Sequence, residues 1–542
     1  MSQRLLAASG RRWAVATPHT AATNAAQEIF AEGGNAIDAA VTAAATLAVV
    51  YPHMCGVGGD LFALVQEPDG QAIAINSSGA APAGIDVEAV QRHHASMPEY
   101  GPIPITVPGA VAGWASVLAE GGTIPWRRAL EPAIGHASDG VAVARSLAAS
   151  LRSHEGVLRS DPGMHAVFGS NGGFLGEGAR LRQPGIVETL RAIAAEGPGA
   201  LYGGEVGRRY VTGLRRAESP MTEDDLAAHR AETVPPLIGR YRDLDVRVVP
   251  PNSQGFVLLE MLAGIERMEL DPDPLGPDAG LLALVFRAAS ADRDRHNADP
   301  HVERVPVVTL LDDGHIAGLI DEARGGFDMV PARTGQLDPA LSAGVEEDSF
   351  VRGDTIALVT ADGDGRAVSL IQSLFHGFGA GILEPETGII AQNRGACFSL
   401  DPHSKNIVAP RKRPAHTLMP VLVHRDDRIA AVCGTMGGHA QPQINAMSIL
   451  RMFDLGLSPD RALQEPRWLV GGMDPVGRRR SVVAEANVPA TAFEALRSEG
   501  FEVDSVPEES DEVGHAHAIR VLEDGTLVAG TDPRADGSAA AG

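Results

Sequence analysis

Gly353-Asp354-Thr355-Ile356-Ala357-Leu358-Val359 reads as a linker ending at a threonine that opens a β-strand, about two-thirds of the way along a 542-residue chain. A threonine hydroxyl is too weakly acidic to attack an amide unaided. Cutting the Asp354–Thr355 bond would free an α-amine on the same residue, and that amine can act as the adjacent base. On the C-terminal side, Ile356 to Val359 is followed by the turn Asp362-Gly363-Asp364-Gly365 and a second strand over Ala367 to Ile371. Further strands are read at Thr417 to Val423 and Ile429 to Cys433, and helix resumes near Pro442 and runs to Leu455. On the N-terminal side, Asp312 to Arg352 has weak periodicity and carries the acidic run Glu346-Glu347-Asp348. A long, exposed, mobile stretch is expected there, which suits a processing site.

Nearer the start, Thr20 to Leu47 carries helix signals, with Asn35 as a cap after Gly33-Gly34. The glycine-rich loop Gly56-Val57-Gly58-Gly59-Asp60 leads into alternating Leu61 to Val65 and, past Asp69-Gly70, Ala72 to Ile75, which predicts a hairpin. From Pro108 to about Gly280 the pattern is mostly helical, clearest at Ile186 to Ala195 and Val257 to Arg267, with a break at Pro250-Pro251-Asn252-Ser253. Strands near the start and again after Thr355, with helices between and after, predict a layered fold in which both halves share one sheet system.

Composition excludes several classes. A formal net charge of −24 repels phosphate backbones, so nucleic acid is not an expected partner. The compact basic clusters, Arg411-Lys412-Arg413 and Arg478-Arg479-Arg480, read as solvated faces. Ala39 to Tyr51, the longest apolar run, falls short of the ~20 residues that span a bilayer, so it is expected as a buried helix rather than a membrane anchor. Cys55, Cys397 and Cys433 are odd in number and widely spaced, and the N-terminus lacks an apolar signal core; a cytoplasmic location is expected. The two lysines, Lys405 and Lys412, lie in no GxxxxGK[ST] loop, which argues against P-loop chemistry. The loop at Gly56 to Gly59 precedes a strand instead of joining a strand to a helix, against a dinucleotide fingerprint.

Some residues can carry chemistry. Cys433-Gly434-Thr435-Met436-Gly437-Gly438-His439 follows a strand and precedes a helix, so the N–H groups of its glycine pair can face an anionic oxygen. A plain strand-to-helix turn needing positive φ would look the same. Ser373, Asn393-Arg394 and His416-Thr417 are polar residues set in apolar or glycine-rich sequence. Each alone reads as a turn or cap. Together they are harder to dismiss.

The order of these segments is itself informative: GGNAIDAAVTAAATLAVVYPHMCGVGGDLF (33–62), VPGAVAGW (107–114), QPGIVETLRAIAAEGPGALYGGE (183–205), TVPPLIGRYRDLDVRVVPPNSQG, ADRDRHNADP, DTIALVTADGDGRAVSLIQS, KRPAHTLMP and GTMGGHAQPQ. With them the chain resembles the γ-glutamyltranspeptidase family over nearly its whole length. The resemblance implies an α+β fold, the four-layer αββα sandwich of N-terminal nucleophile hydrolases. It also implies one precursor cut into a large subunit, 1–354 with its processing linker at about 312–354, and a small subunit, 355–542. A small-molecule amide is the implied substrate, with no metal or organic cofactor. Thr355 takes the place of nucleophile and base, Ser373 that of the hydroxyl bonded to the nucleophile, and Gly437 and Gly438 that of the oxyanion hole. The implied course runs from hydroxyl attack through a tetrahedral oxyanion to an acyl-threonine ester, which water or an amine releases.

The departures from the family pattern bear on substrate. Ser78 stands where the family has an arginine that grips an α-carboxylate, and Cys397 where it has an acid that holds an amino group. His416 and Thr417 replace paired serines. Losing both charged anchors costs several kcal/mol for a γ-glutamyl zwitterion, since each such contact is worth about 1.5–3. The alternative is a smaller carboxylate-bearing amide held by Arg394, as in an oxamate-amidohydrolase-like branch of the family. From another class, the alternative is a non-catalytic homologue kept as a binding or scaffold protein; retention of Thr355, Ser373, Gly437 and Gly438 favours the enzyme.

Overall fold

Asn35 decides the first helical pair. Its side chain accepts from the N–H groups of Ile37 and Asp38 while the Asp38 carboxylate accepts from the Asn35 N–H, a capping box that starts α2 (Ala36–Val50) after α1 (Thr20–Ala31). The computed structural model of the protein describes residues 5–325, 353–473 and 480–542. The alanine-rich α2 is buried along its whole length, because small side chains let neighbours approach on every side.

The strands of the two main sheets are, in chain order, β1 (Ala7–Gly10), β2 (Trp13–Thr17), β3 (Asp60–Gln66), β4 (Ala72–Ser77), β5 (Glu232–Val234), β6 (Leu237–Tyr241), β7 (Leu244–Val248), β8 (Gly353–Asp362), β9 (Ala367–His376), β10 (Val421–Arg425), β11 (Arg428–Met436), β12 (His515–Val521), β13 (Leu527–Thr531) and β14 (Ser538–Ala541). They form two seven-stranded antiparallel sheets of order β14-β2-β8-β9-β3-β4-β5 and β1-β13-β12-β11-β10-β7-β6. Every second residue of the central strands points into the space between them: Ala16, Phe62, Leu64, Ala357, Val359 and Ile371 from one sheet meet Leu422, Val432, Ile519 and Ala529 from the other.

The outer faces are covered by helices. Against the first sheet lie α2 and α3 (Ala110–Ala119), with α4 (Trp126–Asp139) and α5 (Pro184–Glu196) beyond. Against the second lie α6 (Gly255–Met268) and α9 (Gln441–Ile449), with α7 (Ala279–His296) and α8 (Asp313–Arg324) packed behind α6. This is the αββα sandwich, and both sheets mix strands from before and after Thr355. Among the described residues no helix is long and apolar enough to cross a membrane.

The structure corrects three expectations. Residues 232–248, read as part of a helical layer, supply the edge strands β5 and β6 and the strand β7 beside β6; in β7 the period-two burial of Leu244, Val246 and Val248 is a strand signal too short to stand out. Of the stretch expected to be exposed from Asp312, the first part is α8, capped by the Asp312 side chain and burying Ile316, Leu319, Ile320 and Ala323 along one face. Residues 326–352, with Glu346-Glu347-Asp348, lie outside the described residues. Nor is Arg411-Lys412-Arg413 a solvated face: Lys412 and Arg413 are buried, the latter against Asp299 at 3.0 Å and Glu232 at 2.9 Å, because a buried charge is tolerated when it is paired. Arg478 and Arg479 of the other cluster lie outside the described residues.

Candidate active site

The pairing of β8 with β9 slips at the threonine. Asp354 pairs with Phe375, but Ile356 pairs with Gln372, so Ser373 and Leu374 together stand opposite Thr355. Such a bulge re-aims a side chain. Here it brings Ser373 Oγ to 2.9 Å from Thr355 Oγ1, which donates to it, and to 2.7 Å from the Asp354 carbonyl oxygen, to which it donates. The Phe375 N–H completes the set, donating to Ser373 Oγ at 2.8 Å. Thr355 and Ser373 are both buried. A run of hydrogen bonds thus leads from the threonine hydroxyl to the carbonyl of the peptide just before it.

Phe375 has φ 84°, a strained conformation for an aromatic residue. Its ring lies under the Arg394 guanidinium, whose carbon is 4.1 Å from the ring centroid. Arg394 is fully buried on the short turn Arg394–Cys397. Its Nη1 donates to Thr417 Oγ1 at 2.9 Å and approaches Cys397 Sγ at 3.7 Å, whereas among the described residues Nε and Nη2 have no hydrogen-bond partner. Burial pulls its pKa below the usual guanidinium value.

Gly437 and Gly438 join β11 to α9 through a single turn that packs against β8. Gly438 has φ 53°, so that position calls for glycine, whereas a Cβ on Gly437 would meet only the movable end of the Ile444 side chain, 2.4 Å from Cδ1. Among the described residues no acceptor takes the N–H of either. Gln254, at the head of α6, ties this loop to the arginine site: its Nε2 donates to the Gly438 carbonyl at 3.0 Å and to the Thr417 carbonyl at 2.7 Å.

A second polar group lies alongside. His416 Nε2 donates to Asp60 Oδ2 at 3.1 Å, because Nδ1 accepts from the Leu418 N–H at 3.3 Å. Burial, then Arg394 and Arg413, hold the imidazole well below its usual pKa and therefore neutral. Burial pushes Asp60 up to about 7, while hydrogen bonds from Gln392 and Gly79 and the charge of Arg394 oppose it. The Ser78 hydroxyl donates to Asn76 Oδ1 at 2.7 Å and accepts from Asn252 Nδ2 at 3.2 Å, so it is spent within a buried network. The Asn252 carbonyl accepts from the His416 N–H at 2.7 Å.

Thr355, Ser373, Arg394, Thr417 and Gly438 are therefore linked through Phe375 and Gln254. Ser78 and His416 join through Asn252, and Cys397 stands at the rim beside Arg394. Sequence reading missed Asp60, Asn252, Gln254 and Phe375. The Pro250-Pro251-Asn252-Ser253 segment passed only as a break, although a polar break buried at 0% has to be bonded to something.

Two antiparallel sheets between helical layers, with a threonine at the head of a central strand facing a hydroxyl and a glycine loop, define an N-terminal nucleophile hydrolase. Residues 22–542 match the γ-glutamyltranspeptidase family model, and the chain belongs to that family. It is an amide-hydrolysing enzyme of that class. It is 36% identical over 537 residues to the glutathione hydrolase-like YwrD proenzyme of Bacillus subtilis, with 98% of each chain covered. It is also 36% identical over 531 residues to the oxamate amidohydrolase proenzyme of Klebsiella pneumoniae, covering 96% of this chain and 97% of that one. Among solved structures, cephalosporin acylase from Bacillus halodurans superposes with a TM-score of 0.88 at 32% identity, covering 100% of this chain and 98% of the other.

Proposed function

We propose that Thr355 is the nucleophile of an amidohydrolase made as one chain, cut at Asp354–Thr355 into subunits 1–354 and 355–542, and directed at small amides that carry a carboxylate. In the intact chain, Thr355 Oγ1 attacks the Asp354 carbonyl carbon while the Ser373 O–H steadies the carbonyl oxygen. The acyl group moves from nitrogen to oxygen as the hydroxyl proton passes to the departing nitrogen, which frees the Thr355 α-amine; water then hydrolyses the ester, leaving the Asp354 carboxylate and restoring the Thr355 hydroxyl. In turnover that amine takes the hydroxyl proton, the oxygen attacks the substrate amide, and the N–H groups of Gly437 and Gly438 receive the oxyanion. The proton then leaves with the departing amine, and water or another amine removes the acyl group.

The observation that carries the substrate reading is Arg394: two guanidinium nitrogens, buried beside Phe375 and Thr417, lack acceptors among the described residues. A carboxylate meets that fork in bidentate fashion. Ser78 has no charge to offer a carboxylate, and Cys397 is not the carboxylate that would hold an ammonium, which disfavours a γ-glutamyl zwitterion. The name of the Klebsiella relative, at 36% identity, agrees with a small amide acid. A cytoplasmic setting agrees with three cysteines that form no disulfide.

The test has two readouts. On a denaturing gel the purified protein should give two bands and Thr355→Ala one. Ammonia release from a panel of small amide acids should exceed amine release from γ-glutamyl amides, and Arg394→Gln should lower kcat/KM for the acids about 10- to 100-fold, mostly through KM, as expected for losing a ~1.5–3 kcal/mol charged contact. Faster turnover of γ-glutamyl amides would refute the substrate reading. An intact, inert chain would favour the scaffold alternative.

A further inference from the structure

Six residues along α6 from Gln254, or about 9 Å by helical rise, Glu260 is wholly buried, and among the described residues neither of its carboxylate oxygens has a hydrogen-bond partner. The groups it faces come from two other helices. His315 Nε2 of α8 lies 3.9 Å from Glu260 Oε1 and 2.7 Å from Asp292 Oδ2 of α7. One ligand atom from each of the three falls within 4.8 Å of the others. Arg295 Nη1, 3.1 Å from Asp292 Oδ1, occupies that oxygen and leaves Oδ2 facing His315.

A carboxylate taken out of water with nothing to accept from is costly, and a second carboxylate beside it adds like-charge repulsion. Burial, with Asp292 next to it, accordingly pushes the Glu260 carboxyl well above the usual range. Protonation alone leaves the added O–H without an acceptor. A divalent cation answers both charges at once.

We propose that Glu260, Asp292 and His315 form a zinc-class divalent-cation site, with two carboxylate oxygens and one imidazole nitrogen from three helices, that staples α8 to α6 and α7. Bonds of about 2.0–2.2 Å in tetrahedral geometry set ligand atoms roughly 3.2–3.6 Å apart. The close His315–Asp292 pair would open and the wider His315–Glu260 pair would close, each by less than about 1 Å. His315 is 27% exposed, which gives the ion a way in and leaves room for a water as fourth ligand. Arg295 holds the Asp292 carboxylate in orientation. The site is structural and independent of the chemistry assigned to Thr355; it fixes the last described helix before the Asp354–Thr355 junction.

The full-length protein, stripped with EDTA and desalted, is titrated with Zn²⁺ alone, in parallel with Glu260→Gln and Asp292→Asn. Wild type should take up one equivalent more than either variant, by calorimetry and by metal content after desalting, and its thermal midpoint should rise with Zn²⁺ while theirs stay put. Glu260→Gln keeps the shape and removes a buried charge, so its metal-free form should be at least as stable as wild type. Should it not fold, His315→Gln at the solvent-facing ligand carries the same comparison. Equal zinc uptake by wild type and variants, or none by wild type at excess Zn²⁺, overturns the site.

Discussion

Asp60 shows how one buried side chain couples the site to pH. An ordinary carboxyl titrates near ~3.9, whereas burial holds this one at about 7 in the folded protein. A raised acid pKa means that the folded state keeps a proton the unfolded chain gives up. The stability that proton carries is complete below about 4 and lost as pH rises through 7, up to about 4 kcal/mol for three units. Wild type should therefore lose ground to Asp60→Asn between pH 5 and pH 8, read as the difference of their thermal midpoints at each pH; a constant difference would mean that Asp60 does not titrate there. At this scale the sequence revealed the residues with a local signature. Thr355 heads a strand, Ser373 and Arg394 interrupt apolar runs, and the glycine pair sits at a strand end. Asp60, Asn252 and Gln254 have no such signature, because the partners that tie them to the site are more than a hundred residues away: Asp60 bonds Gln392 and His416, and Gln254 bonds Thr417 and Gly438.

Among elements, the β3–β4 hairpin depends on one close approach. Gly79, just past β4, donates its N–H to Asp60 Oδ1, and a Cβ there would lie 1.6 Å from the Val107 carbonyl oxygen. Backbone cannot yield as a flexible side chain would, so Gly79→Ala should cost at least the ~1–3 kcal/mol typical of overpacking. A thermal midpoint lowered by several degrees, with slower appearance of the two bands, is the expected result. The hairpin and the β8–β9 pair were legible because alternation and Asp-Gly turns announce them. The bulge at Thr355 was not, since a one-residue slip leaves no mark on the alternation of a strand buried on both faces. The helix α8 was overlooked for a different reason. Its stripe of Ile316, Leu319, Ile320 and Ala323 is short and lies among glycine and acidic residues.

For the whole molecule, the mixed composition of the two sheets governs what a cut can do. β8 and β9 lie between β2 and β3, and β10 to β13 lie between β1 and β7. Separating residues 1–354 from 355–542 would break ladders in both sheets and expose the apolar layer between them. After processing, the two fragments should elute as one species on native size exclusion and part only in denaturant; two native peaks would contradict this. That both halves build one sheet system was readable from the order of strand and helix signals, whereas the strands β5, β6 and β7 at the ends of the two sheets were hidden in a stretch of helical character.

The hydrogen bonds that run from Thr355 through Ser373 to Asp354 give the precursor a memory. With Thr355 as nucleophile, the first acyl group this enzyme carries is its own aspartyl residue, seated where every later guest must sit. On the proposed cleavage the act would be performed once per molecule and would erase its own starting point, since the carbonyl that Ser373 holds would cease to be an amide. Maturation would then be a rehearsal of turnover, with the protein as its own template.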